Sequence, residues 1–268
     1  MKTRSSAALV VLALVAGAAA FYYFQQQRLV QPAADPGEVV DGDWLEHLYS
    51  QNPKVAEEAA RQLNELGTSA LPEIRVALHD PAADSARKKA ALKACGLLGP
   101  LAAPAMADVA THLPDPELTA EAAVALSFMG REAYGPLRDG ASSDDPIVRR
   151  ESLRSMGKLR ERAPLDARAV VPLLLQGLAD PDPGVRAVAA TYLGIIHAEG
   201  TSVVPALIET LQDEEAEVRA AAATALGSFD TDGHLALPAL RKATADRNEN
   251  VAREAGLAIV KLQSSSRK

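Results

Sequence analysis

The side chains able to do covalent or metal chemistry are few and far apart. Cys95 is the single cysteine, so no intrachain disulfide can form and no cysteine-based zinc cluster is available. His47, His79, His112, His197 and His234 are scattered along the chain, and none is followed by Glu. No glycine-rich phosphate loop, nucleophile elbow or paired catalytic motif occurs. These residues imply no catalytic site, no cofactor and no bound metal. What recurs instead is charge. Arg149, Arg186 and Arg219 each follow a valine and lie near the turn acids Asp145, Asp180, Asp182 and Asp213, an arrangement that predicts a charged ladder along the turns. Arg61, Lys89, Lys93, Arg150 and Arg154 form a second basic set, and the chemistry open to them is capture of an acidic group.

Composition limits what those charges can serve. The chain has 268 residues, 48% hydrophobic and 24% charged, which suits one or two folded domains and excludes wholesale disorder. Only 4% of residues are aromatic, and alanine is abundant. Strands favour β-branched and aromatic side chains, so this balance predicts closely packed helices and an all-α fold. Residues 28–268 hold 26 basic against 35 acidic side chains, a net of −9. Nucleic-acid affinity is built mostly from Lys and Arg on phosphates, so a nucleic-acid partner is not expected, and neither is an anionic membrane surface.

The N-terminus has a different character. Lys2 and Arg4 precede an uncharged run from Ser5 to Gln27 whose apolar centre, Ala7 to Phe24, is 18 residues long. A membrane-spanning helix needs about 20. Ala18-Ala19-Ala20 offers a signal-peptide cleavage site, whereas Phe21, Tyr22, Tyr23 and Phe24 continue the run and would form an aromatic belt at the far interface. Residues 1–28 thus read as a signal-anchor or a signal peptide, and residues 29–42, with Pro32, Pro36, Gly37 and Gly42, as a linker. No cysteine follows the run, which excludes a lipoprotein anchor. The anchor reading makes a single-pass membrane protein with an extracytoplasmic, periplasmic body; the cleavage reading makes a secreted or periplasmic one.

The rest of the chain repeats. A turn, then Val-Arg, then alanines, then Leu-Gly appears as Asp182-Pro183, Val185-Arg186, Ala189-Ala190, Leu193-Gly194, and again as Val218-Arg219, Ala222, Leu226-Gly227. The alanine marker runs Ala59, Ala91, Ala122, Ser152, Ala189, Ala222 and Ala255, in steps of 32, 31, 30, 37, 33 and 33. Four residues after it stand Leu63, Cys95, Leu126, Met156, Leu193, Leu226 and Ile259, which makes Cys95 a buried core thiol rather than a nucleophile. Seven residues before it stand Asn52, Asp84, Asp115, Asp145, Asp182, Glu215 and Asn248, which predict N-caps for seven second helices. A proline series, Pro72, Pro104, Pro136, Pro172, Pro205 and Pro238, marks the first helices of copies two to seven, and Trp44, Leu45 and Leu48 begin the first helix of copy one.

Over residues 43–263 these motifs resemble HEAT repeats in their short bacterial form, also seen in phycobilisome-lyase-like proteins; residues 264–268 are left as a disordered tail. The tetratricopeptide and ankyrin signatures are absent. The resemblance implies a right-handed α-solenoid of about seven helix pairs, preceded here by one N-terminal hydrophobic helix, with second helices lining a concave face that binds partners. It also raises an alternative, an enzyme or enzyme subunit of the lyase-like branch acting as chromophore lyase or chaperone. The His-Glu pairs of the metal-binding HEAT hydroxylases are missing.

Positions two, six and nine residues after the valine site point away from the core on a 100° wheel. In copies one, two and four they include Arg61, Lys89, Lys93, Arg150 and Arg154; in copies five and six they are Ala187, Thr191, Gly194, Ala220, Thr224 and Gly227. The plain reading is a solvated helix face. The functional reading is a non-catalytic scaffold, with membrane contact only through its N-terminal helix, that takes an acidic protein or peptide segment along the basic half of its groove.

Overall fold

A computed structural model describes residues 44–162, 167–229 and 232–265. The N-terminal segment, the linker and residues 266–268 lie outside the described residues.

Fourteen α-helices follow one another as seven pairs, with no strand among the described residues. The pairs are α1 (Trp44–His47) with α2 (Pro53–Leu66), α3 (Leu71–His79) with α4 (Ser85–Leu98), and α5 (Met106–Ala110) with α6 (Thr119–Phe128). Then come α7 (Tyr134–Gly140) with α8 (Pro146–Arg162), α9 (Ala167–Gly177) with α10 (Pro183–Ile196), α11 (Gly200–Thr210) with α12 (Ala216–Leu226), and α13 (Leu237–Ala243) with α14 (Glu249–Ser265). Helix α14 thus runs past residue 263, where the repeat region was expected to end.

The start of each second helix follows from its cap. Asp182 Oδ1 accepts from the Val185 N–H at 3.0 Å and Pro183 takes the first helical position, where a missing N–H leaves no bond unmade. Asn52 and Asp84 cap α2 and α4 through the N–H groups of Lys54 and Arg87. Two copies depart from the expected pattern. Helix α6 begins only at Thr119, because Asp115 closes a turn with Glu117 and the Thr119 hydroxyl donates to the carbonyls of Leu113 and Asp115. In copy six Glu215 makes no side-chain cap; the turn bond from its N–H to Asp213 at 2.9 Å is the one that copies five and seven make as well.

The core lies between the two members of each pair. The valine, alanine and leucine sites of copy five, Val185, Ala189 and Leu193, are buried, as are Val218, Ala222 and Leu226 in copy six. Spacing of four puts them on one helix face, against apolar residues of the first helices such as Val203, Val204 and Leu207. Short 3-10 segments, Gly67–Ala70, Gly99–Ala105, Arg131–Ala133 and Gly233–Ala236, carry the chain from one copy to the next. At Gly67 and Gly99 the backbone takes φ of 54° and 59°, a conformation that a Cβ disfavours.

The even-numbered helices pack directly on one another from α2 to α14, whereas the odd-numbered ones mostly touch their own partners. Glycine sets how closely the even layer draws together. A Cβ at Gly194 would fall 2.6 Å from Ala225 Cα, and one at Gly227 3.0 Å from Ala258 Cα. The even helices are therefore the tighter, inner layer of an α-solenoid. This corrects part of the wheel reading: Ala187, Ala220, Gly194 and Gly227 are buried between copies, because the 180–200° side of each helix meets the next repeat. Thr191 and Thr224 do face solvent. The stretch Ser85–Ala110 is long and apolar enough to cross a membrane by length and composition, yet it comprises α4, a 3-10 segment and α5 and is built into this stack.

Candidate binding face and charged ladder

The three recurring arginines form the ladder. Arg149 directs Nε and Nη2 at both carboxylate oxygens of Asp180, at 2.8 and 2.7 Å. Arg186 grips Asp213 and Arg219 grips Asp246 in the same way, at 2.8 and 2.9 Å. Each Nη1 also donates to two carbonyls of its own turn, Ser143 and Asp144, Asp180 and Pro181, or Asp213 and Glu214. One guanidinium therefore closes its own turn and ties it to the turn of the following copy, in the two-pronged geometry that suits arginine and not lysine. Burial pushes the Asp180 and Asp213 carboxyls up, but the arginine forks and the N–H groups of Asp182 and Glu215 outweigh it and hold both below the usual range. At Asp246 the Arg219 fork is the largest influence and lowers it directly.

The ladder stops where both halves of a rung are replaced together. Copy three has Thr119 at the arginine site, and the turn of copy four has Ser143 where Asp180 stands in copy five. Copies two and three are tied elsewhere, through their first helices. Asp108 on α5 takes the His79 ring at 2.8 Å and an ion pair from Arg75 at 2.6 Å, both on α3. Burial raises the Asp108 carboxyl, while these two partners together bring it below its ordinary value.

The five candidate basic residues occupy unequal settings. Arg61 is exposed and paired within α2 to Glu58 and Glu65. Lys89 lies 3.6 Å from Glu121 of the next copy. Lys93 donates to the Leu48 carbonyl at 2.5 Å and sits 4.6 Å above the Tyr49 ring, so the chain after α1 covers its ammonium. Arg150 and Arg154 come together on α8 and share Glu151, at 3.2 Å and at 2.8 and 2.9 Å. The strip is interrupted in copy three, where Val124 takes the site of Lys93 and Arg154.

Sequence reasoning missed the residues beside Arg154. Helix α8 runs three residues further past its valine site than α10 does, and the added turn carries Arg162. Arg154, Lys158 and Arg162 follow at intervals of four along α8, and the Arg162 guanidinium lies 4.0 Å from the Phe128 ring centre on α6. Tyr192 of α10 lies in the notch at Gly157, where a Cβ would come 2.0 Å from its Cδ1. Burial, and then the charge of Glu161, pushes the Tyr192 hydroxyl up to about 12. The signal for this insertion was the single 37-residue step in an otherwise even series. Cys95 is fully buried in α4, and no group of three metal-ligating side chains occurs among the described residues.

A family model for HEAT repeats matches residues 171–260, the region from α9 into α14. No curated protein matches the sequence. Among solved structures, Kap121p is 15% identical, with 83% of this chain covered and a TM-score of 0.59; the chain spans 27% of its length. Kap121p bound to Nup53p is 14% identical, with 80% of this chain and 28% of that one covered and a TM-score of 0.59. A designed armadillo repeat protein in complex with the peptide (KR)4 is 18% identical over 82% of this chain and 98% of its own, with a TM-score of 0.46. At these identities the Kap121p likeness is one of fold.

Proposed function

We propose that this HEAT-repeat solenoid is a non-catalytic scaffold that holds a protein or peptide partner against the inner face of its even-numbered helices. The observation that carries the reading is the column Arg61, Lys93, Val124, Arg154, Thr191, Thr224 and Leu257, one residue from each successive second helix, open except where the chain after α1 covers Lys93, and set on a continuous layer. A layer fixed by core packing and a buried ladder presents such a column without having to order itself on binding, which lowers the entropic cost of recognition. The Kap121p complex with Nup53p supports the choice of a protein partner, as a solenoid of like fold that binds one.

The charge of the face supports an acidic segment as the ligand. Arg61, Lys93 and Arg154 stand there, with Lys89 and Arg150 turned toward the next repeat beside them, against a chain of opposite net sign, so the rest of the surface repels an anion and this face admits it. The uncharged run from Ser5 to Gln27 supports a scaffold held at a membrane with its repeats outside the cytoplasm. Nothing among the described residues favours the lyase-like alternative.

A photo-crosslinking amino acid placed at Thr191, on the inner face, should capture a partner in native membranes. The same group at Val76, exposed on the outer helix α3, should not. Equal capture from both positions would end the reading.

A further inference from the structure

Helix α8 concentrates unspent positive charge at the middle of the inner face. Arg154, Lys158 and Arg162 stand there against the carboxylates of Glu151 and Glu161. Glu151 is committed to Arg150 and Arg154, and Arg162 rests on Phe128. Lys158, half-buried between Arg154 and Arg162, makes no hydrogen bond or ion pair among the described residues. Its ammonium is held below its ordinary pKa by burial first and then by Arg162 and Arg154, against the opposing pull of Glu151 and Glu161. A desolvated cation beside two others is stabilised by an incoming carboxylate more than an exposed lysine is, because much of its hydration has already been given up.

The neighbours of this charge are apolar. Val124 on α6 is 37% exposed and Ile195 on α10 is 43% exposed, and they flank the α8 row on the preceding and following helices. Phe128 on α6 is partly covered and Tyr192 on α10 is buried. Packed helix axes lie about 8–10 Å apart. An extended peptide of the polyproline type repeats its facing side chain every third residue, at about 9 Å. One helix step along the groove therefore matches three residues of ligand.

We propose that the inner face between α6 and α10 is a docking site for an extended acidic peptide segment in which one carboxylate, seated on Lys158 with Arg154 and Arg162 around it, is flanked three residues away on each side by an apolar side chain on Val124 and on Ile195. The site rests on the scaffold reading above and gives it a sequence-specific ligand. A nucleic acid is the less suited occupant, because the charge is confined to one helix and the surfaces on both sides are apolar.

The test uses the full chain and a fluorescent peptide, Leu-Ser-Pro-Glu-Ser-Pro-Leu, read by anisotropy. Binding should weaken about tenfold or more in Lys158→Gln, and by a similar factor when the peptide's Glu becomes Gln. Ile195→Ser should weaken it independently of charge, and Lys242→Gln, on the outer helix α13, should leave it unchanged. Each variant is checked for an unaltered helical circular-dichroism spectrum. Equal affinity of wild type and Lys158→Gln, or of the Glu and Gln peptides, would overturn the proposal, as would tighter binding of a single-stranded oligonucleotide than of the peptide. If the peptide fails while Thr191 still captures a partner, the scaffold stands and this anchor falls; if both fail, the scaffold reading falls with it.

Discussion

Arg219 and Asp246, 27 residues apart in sequence, meet through two parallel hydrogen bonds of 2.8 and 2.9 Å, and the same arginine closes the turn of its own repeat. This pairing joins what sequence distance separates: the arginine of one copy answers the aspartate of the next.

Removing one side of such a fork should therefore cost more than a surface ion pair. Arg186 and Asp213 have side chains only 10% and 12% exposed. Arg186→Ala leaves a shielded carboxylate and two turn carbonyls without their donor, and should lower unfolding free energy by about 3 kcal/mol in urea titrations. Arg61→Ala, on an exposed and solvent-screened pair, should shift the urea midpoint far less. Lys at position 186 should recover only part of the loss, since an ammonium cannot hold both oxygens and both carbonyls.

Glycine-to-alanine changes should split in sign along the even helices. Alanine ordinarily stabilises a helix interior by roughly 1 kcal/mol over glycine. At Gly256 a Cβ meets nothing within 4 Å, so Gly256→Ala should raise the melting temperature. At Gly194 it meets the Ala225 backbone, which cannot step aside without moving α12. Gly194→Ala should therefore destabilise, by about 1–3 kcal/mol from overpacking. Calorimetry on the two variants gives the comparison.

Acid should loosen the ladder. Asp180, Asp213 and Asp246 are held below their ordinary value of 3.8 in the folded chain. Between the depressed folded values and the ordinary unfolded one, the unfolded chain binds more protons, so stability rises with pH there. The contribution is complete above about pH 4–5 and is lost as pH falls through the folded values. The urea midpoint should stay level from pH 7 to about 5 and drop below about 4, and Asp246→Asn should reduce that drop.

Cys95 should be inert while the chain is folded. It is fully buried, and burial together with the charge of Asp108 pushes its thiol up to about 12, so at pH 8 almost none is the reactive thiolate. Iodoacetamide should label it only in denaturant; rapid labelling of native protein would contradict the packing at this site.

The period, five of the seven caps and the ladder could be read from spacing, because each rests on contacts that recur from repeat to repeat. Three features could not. The fork on Asp246 was overlooked because the acids near each arginine in sequence belong to its own turn, and its partner belongs to the next one. The covering of Lys93 depends on how the chain after α1 crosses α4, which no single-helix wheel contains. The burial of Ala187 and Gly194 has the same origin: a wheel finds the side facing the core, and in a stack a second side faces the neighbour. The docking row on α8 left a trace in the uneven repeat step, but its apolar flanks come from helices before and after it.

The missing rung between copies three and four also divides the polar fastening of the stack into two runs. Copies four to seven are riveted by three successive forks, and copies two and three by Asp108 with Arg75 and His79. The joint between the two blocks has neither device and relies on apolar packing with Arg162 laid over Phe128. Helices α6 and α8 still pack closely on one another across this joint, and the proposed peptide site straddles the change of fastening. A ligand spanning from Val124 to Ile195 acts there as a clasp, adding a charged contact beside a joint that has no fork of its own.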